Sequence, residues 1–474
     1  MKKRQDLFRY KSLVETITDR IKKGEFLPGE KLPSVRRLSQ QEKVSVSTVL
    51  HAYEILEARR LVRSVSKKGY YIERLPELSP EPRPETSTAG PSFVDIGDTV
   101  MEILSGVRRD DLVPFAAALP AGELLPAHAL NKIMARIGRQ SDLAPFRFER
   151  PRGSVELRRQ LSRYAADWGC HLSPDDFIIT NGCLEALSLA LRASVPPGGV
   201  VGVESPAYYG VLMAIEGLGL KAMELPAKAE GGIDTDKLEK TLKTGKPDAC
   251  LVTANFSNPS GHLMPDDEKE KLARIMARYN KPLIEDDIYG DLYYSDKRPL
   301  SLKSFDRDGM ILLCSSFTKT LAPGYRTGYI APGRYLERVE KLKFMSSGTT
   351  HSLGQQVIAG FMATGGYDRH LKQVRNAFAV QTETGRELIS RFFPEGTGIS
   401  RPEGGFVLWV ELPGKRDSYE LYRKAMPESI SFLPGHIFSS SARYKNCLRI
   451  SCGSPWSEKH VSALSRLGEL AGSI

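Results

Sequence analysis

Residues 315–330 read SSFTKTLAPGYRTGYI, with Ser316 and Thr318 just ahead of Lys319 and Arg326 seven residues beyond it. Hydroxyls and a guanidinium bind anions, so this spacing sets one amine beside a phosphate-sized negative charge. A lysine that is desolvated and close to other positive charge holds its proton less tightly. Its neutral amine can then attack an aldehyde and form a Schiff base. Pyridoxal 5′-phosphate carries an aldehyde and a phosphate on one ring.

That cofactor sets three further requirements: a carboxylate for its ring nitrogen, donors for its phenolic oxygen, and a surface against its ring face. The stretch EDDIYGDL supplies Asp286 three residues before Tyr289, NFSNPSG supplies Asn258, and ESPAYYG offers Tyr208 as a stacking face. TNGCLEAL puts Gly182, Cys183 and Leu184 at a helix N-terminus, where free backbone N–H groups attract phosphate. A lysine after a serine is ordinarily a surface residue, and NPSG is ordinarily only a turn. Their order and spacing carry the reading.

Such residues need a scaffold that brings distant loops together. From about residue 110 onward, apolar runs alternate with helical patterns: DFIIT, GGVVGVESP, ACLVTANFSNPSG, KPLIEDDIYGDL and GMILLCSSFTK each end in a polar loop. This alternation predicts a mostly parallel sheet covered on both faces, with ligands at the carboxyl ends of its strands. The chemically unusual residues lie at those ends.

The N-terminal stretch is of another kind. Residues 1–75 hold 18 Lys/Arg against 9 Asp/Glu, and the remaining 399 hold 49 against 48, so nearly all of the chain's +10 charge sits in the first sixth. A basic small domain beside a neutral large one points to a polyanion partner for the small one. Tyr10, Leu13, Val14, Ile17 and Ile21 share a helix face. Ser34 caps a short helix, Ser45 or Ser47 caps the next, and Val49, Tyr53 and Leu56 form its apolar stripe. LVRSVSKKGYYI then makes a hairpin with basic residues near its tip. Three short helices and a basic hairpin describe a small α+β winged helix-turn-helix, whose second paired helix enters the major groove. Residues 1–75 are therefore expected to be a DNA-binding domain.

Residues 76–110 are expected to be a linker, because LPELSPEPRPETSTAGP has almost no large apolar side chain with which to offset ordering; helical periodicity resumes near Val94–Leu104. Residues 111–474 form the large domain. Six cysteines without a CxxC pair read as reduced core thiols, no metal site is expected, and no apolar run reaches membrane-spanning length. The expectation is a cytoplasmic protein without a membrane partner.

From EFLPGEKLPSVRRLSQQEKVSVSTVLHAYEILEARRLV, the N-terminal stretch resembles GntR-type bacterial regulators over residues 8–73. The resemblance implies that Arg36, Ser45, Ser47, Thr48, His51, Lys67, Lys68 and Gly69 approach double-stranded operator DNA. Val46 stands where the family commonly has an arginine. Residues 112–470 resemble the fold-type I, aspartate aminotransferase-like, PLP-dependent transferases, particularly the kynurenine/α-aminoadipate branch, with a smaller C-terminal subdomain marked by RPEGGFVLWVELP and NCLRISC. This implies Lys319 as the Schiff-base lysine, Asp286 on the pyridinium nitrogen, Asn258 and Tyr289 on the phenolic oxygen, and Tyr208 against the ring. It also implies Ser316, Thr318, Arg326, Gly182, Cys183 and Leu184 around the phosphate, and Arg449 gripping an α-carboxylate. Leu184 replaces a frequent polar residue, and Phe148 replaces a tyrosine that commonly reaches the partner subunit's phosphate. The whole chain resembles MocR regulators, which implies a bacterial head-to-tail homodimer sensing PLP, or an amino acid or amine effector that captures it. A catalytic aminotransferase of 2-aminoadipate or aromatic type, carrying a DNA-binding domain, is the alternative.

Overall fold

The computed structural model describes residues 10, 13–14, 16–18, 20–21, 25–26, 29–58, 61–65, 69–72, 79–107, 109, 111–140, 148–228, 231–441 and 443–474. The chain divides into two compact units, Met1–Ser79 and Pro80–Ile474.

In the first unit, Leu13, Val14, Ile17 and Ile21 are helical and buried, as their spacing requires. Ser34 accepts the Arg37 N–H at 3.3 Å and starts the helix Val35–Gln41. Ser45 accepts the Thr48 N–H at 3.1 Å and starts Val46–Ala58. A side-chain oxygen at each start takes one backbone N–H that the helix leaves free. Val49, Ala52, Tyr53 and Leu56 turn inward with no exposed surface, and Tyr53 Oη donates to the Pro33 carbonyl at 2.7 Å. The strands Val62–Val65 and Gly69–Ile72 pair antiparallel as the wing. Lys31 bridges to Tyr71 along the wing's other edge.

The second unit is built on an eight-stranded sheet. Its order is Ser92–Phe93, Lys221–Glu224, Val200–Val203, Ala249–Val252, Leu283–Asp286, Ile311–Ser316, Gly328–Ala331, Ile178–Thr180. The run from Lys221–Glu224 to Ile311–Ser316 is parallel, while Gly328–Ala331 is antiparallel to both its neighbours. Buried Val, Ile and Leu fill both faces, because covering helices leave neither face to water. A smaller C-terminal layer holds the antiparallel sheet Gly398–Ile399, Val407–Glu411, Cys447–Ser451, Leu433–Pro434, packed against Gly366–Phe392 and Glu458–Gly472. All six cysteines are free and buried. Among the described residues no helix is long and apolar enough to cross a membrane.

The expectation of a linker over 76–110 is corrected within the described residues. Pro80 accepts the Ile399 N–H at 2.8 Å, Glu85 accepts the Ala227 N–H at 2.8 Å, and Ser92–Phe93 adds an edge strand beside Lys221 and Ala222. Gly97–Gly106 is a helix, in agreement with the helical periodicity near Val94–Leu104, and its Val100 and Ile103 are buried in the C-terminal layer's core. Its first turn is capped from a distance: the Glu216 carboxylate accepts the Ile96 and Gly97 N–H groups at 3.1 and 3.0 Å.

Candidate functional site

The carboxyl ends of the parallel strands open on a cavity of about 490 Å³. It brings together Cys183, Leu184, Tyr208, Asn258, Asp286, Tyr289, Ser316, Thr318, Lys319, Arg326 and Arg449, drawn from across the second unit. Gly182 stands immediately behind this wall. At φ +84° it starts the helix Cys183–Ser194, and a Cβ there would lie 2.8 Å from Arg326 Nη2. Only glycine combines that backbone with that approach.

Lys319 follows the strand Ile311–Ser316 in a tight turn, and its Nζ donates to the Ala118 carbonyl at 2.6 Å. Burial pulls its pKa down to about 8, with Arg449 and Arg326 adding to the effect and Asp286 and Cys183 opposing it. An amine near 8 is a competent nucleophile at neutral pH. Asp286 ends Leu283–Asp286 and accepts from Cys183 Sγ and from the Ile288 N–H, both at 3.3 Å. Burial raises its carboxyl to about 6, while those two hydrogen bonds pull the other way. Tyr208 and Tyr209 both line the cavity, their ring centroids 4.6 Å apart. The Thr318 N–H donates to Ser316 Oγ at 3.3 Å, holding that hydroxyl at the cavity's edge.

Arg449 sits mid-strand in Cys447–Ser451 and is 1% exposed. It donates through Nη2 to the Ala116 carbonyl and through Nη1 to Asn258 Oδ1 at 3.5 Å. It has no carboxylate partner among the described residues, and its Nε, like Tyr289 Oη, finds no hydrogen-bond partner there. Burial lowers its pKa. A guanidinium shut away from water without a counter-ion is costly, and a carboxylate ligand would satisfy it through two points. The unpartnered phenol and guanidinium face a cavity of ligand size, so these residues fit pyridoxal phosphate and an amino acid.

Sequence reasoning missed the other walls. Leu104 and Val107 enter from the segment expected to be linker, and the Ala116–Leu119 run supplies the carbonyls that hold Lys319 and Arg449. It also missed a buried brace: Arg298 pairs with both Asp287 and Asp291, and Tyr367 Oη donates to Asp291 at 3.2 Å while lying in hydrogen-bond contact with Thr320 Oγ1 at 2.9 Å. That chain links the residue after Asp286 to the residue after Lys319. Glu285 points away from the cavity and accepts from Ser301 Oγ and from the Leu302 and Lys303 N–H groups, which is a structural task.

In the first unit, Arg36, Ser45, Ser47 and His51 are exposed, whereas Thr48 is buried with its hydroxyl 2.7 Å from Ser45 Oγ. His51 packs on the Tyr10 ring at 4.6 Å and pairs with Glu54 at 3.3 Å. Gly69 opens the second wing strand at φ +103°. Lys67 and Lys68 lie outside the described residues. Val46 and Phe148 are both exposed, and Leu184 is exposed at the cavity rim.

Two family models match the chain: bacterial regulatory proteins of the gntR family over residues 9–72, and aminotransferase class I and II over residues 119–465. The uncharacterized HTH-type transcriptional regulator YjiR of Escherichia coli is 36% identical, covering 97% of this chain and 98% of that protein. Among solved structures, a kynurenine aminotransferase from Pyrococcus horikoshii, in complex with PMP, is 28% identical with a TM-score of 0.74. It covers 79% of this chain and 94% of that one. LysN, an α-aminoadipate aminotransferase from Thermus thermophilus complexed with N-(5′-phosphopyridoxyl)-L-leucine, is 27% identical with a TM-score of 0.73 and the same coverage. The chain belongs to the aminotransferase class I and II family, joined to a GntR-type DNA-binding domain in the manner of the MocR-type transcription regulators.

Proposed function

We propose that the second unit senses a small amino acid or amine through pyridoxal phosphate and thereby sets the DNA-binding state of the first. The buried guanidinium of Arg449, lacking any carboxylate partner among the described residues, is the observation that carries this reading. Pyridoxal 5′-phosphate is the cofactor of this fold family, and the donor set fits it. Lys319 would hold its aldehyde carbon, Asp286 its ring nitrogen, and Tyr289 with Asn258 its phenolic oxygen. Tyr208 would lie on its face. Ser316, Thr318, Arg326 and the Cys183–Ser194 helix start at Gly182 would hold its phosphate. When bound, the cofactor supplies an electrophilic carbon that an incoming amine can take over from a lysine.

The chain's own residues supply the rest. Lys319 presents a neutral amine once its proton leaves, and the Ala118 carbonyl orients it. Asp286 carries a negative charge above about pH 6, which would favour a protonated ring nitrogen. Arg449 orients the effector by its carboxylate, and Leu104, Val107 and Leu119 give the cavity an apolar side. An effector that binds one arrangement of the two units better than another shifts their equilibrium by that difference in affinity. Exposed Phe344, Met345 and Leu184 on the second unit support a homodimer, for which a head-to-tail arrangement would bring two wings to two half-sites. Cytoplasmic residence follows from a DNA partner.

A spectral titration of the cofactor-loaded protein with amino acids tests the reading. Saturable change is expected with the parent protein, and Arg449→Gln should weaken it at least tenfold for amino acids but little for amines lacking a carboxylate. Equal response in both would refute Arg449's role. The second reading, a working transaminase, is favoured by the full convergence of Lys319, Asp286, Asn258 and Arg449. Multiple turnovers with 2-oxoglutarate as acceptor would establish it.

A further inference from the structure

The helix Val46–Ala58 buries one face completely, through Val49, Ala52, Tyr53 and Leu56. Its opposite face carries Val46, Ser47, Leu50, His51 and Glu54, all exposed. The polar members of that face are already engaged, Ser47 Oγ with Ser45 Oγ at 2.8 Å and His51 with Glu54. Val46 and Leu50 are left, 51% and 42% exposed, one helical turn apart in the half of the helix nearest its N-terminus. An i, i+4 apolar pair forms one continuous patch. It stands on a module with 18 basic residues against 9 acidic, so the partner that fits is polyanionic and must still offer apolar groups.

Duplex DNA meets both demands only in one place. The major-groove edge of thymine carries a 5-methyl group, whereas guanine, cytosine and adenine present donors and acceptors that an aliphatic side chain would leave unsatisfied. In a helix-turn-helix, residues near the start of the second helix are the ones that reach base edges. We propose that Val46 and Leu50 read thymine methyl groups, so that the half-site carries thymine where a basic residue at position 46 would select guanine. This rests on the first unit binding duplex DNA, which the test examines separately.

The experiment begins with enrichment of the full-length protein's targets from a random duplex library at fixed salt. Each thymine of the enriched half-site is then replaced by deoxyuridine, which removes the methyl group alone. At the contacted thymine the replacement should weaken binding roughly fourfold, the value of one buried methyl-sized group. Val46→Ala or Leu50→Ala should lose that sensitivity while still binding, and Val46→Arg should enrich guanine at the same position. The proposal is overturned if no deoxyuridine replacement weakens binding, or if both alanine variants keep the parent's discrimination. It is overturned in favour of a protein contact if Val46→Ser/Leu50→Ser changes the oligomeric state at unchanged base preference. If no duplex is enriched and binding lacks salt dependence, DNA binding by this unit fails, and the thymine reading with it.

Discussion

The Lys319 amine should titrate near pH 8 in the cofactor-free protein, where an ordinary lysine titrates at 10.5. At pH 7.5 about a quarter of such amines are neutral, against about one in a thousand for an ordinary lysine, a difference of about 200-fold in reactive form. Burial contributes most, Arg449 next, and Asp286 opposes both. Competitive labelling with acetic anhydride across pH 6–11, read by mass spectrometry on the peptide containing Lys319, measures that midpoint directly. Arg449→Gln removes a neighbouring positive charge and should move it upward. Asp286→Asn removes a neighbouring negative charge and should move it downward. The stability sign follows: the folded chain binds this proton more weakly than the unfolded one, so the penalty is full below about pH 8 and is relieved as pH rises toward 10.5. Lys319→Met should accordingly raise the melting temperature more at pH 7 than at pH 10. A parent midpoint near 10.5, or both charge variants moving it in one direction, would refute the reasoning.

Arg298→Met should destabilise the second unit by about 3–5 kcal/mol, because it leaves the buried Asp287 and Asp291 without their cation; differential scanning calorimetry reads the loss. Leu56→Ala, at a position with no exposed surface, should cost the first unit about 2–5 kcal/mol and abolish DNA retention at 37 °C, with the second unit's thermal transition unmoved. Deleting residues 1–79 should remove salt-sensitive binding to duplex DNA, measured by fluorescence anisotropy, and leave cofactor absorbance intact.

Much of the cavity was legible because its polar residues lie where apolar strand patterns stop. Asp286 ends LIED, and Lys319 comes three residues after a six-residue buried strand, so period and punctuation located them together. The walls made of backbone were not legible. The carbonyls of Ala116 and Ala118 accept from Arg449 and Lys319, yet a carbonyl has the same chemistry at every residue and leaves no signature in side-chain type. The linker reading failed for the same reason. Pro80, Glu85 and Ala89 are held through main-chain groups and Ser92–Phe93 by edge pairing, which composition does not report. In the first unit, the choice between contact and cap at Thr48 depended on geometry: its hydroxyl is turned in against Ser45, although serine and threonine at a helix start suit either task.

Reduction of the protein with borohydride after incubation with pyridoxal phosphate, followed by intact mass and peptide mapping, tests the central claim most directly. One added cofactor per chain, mapped to Lys319 and absent from Lys319→Ala, is the predicted result. An unchanged mass in the parent protein, or an adduct that survives Lys319→Ala at the same stoichiometry, would contradict it.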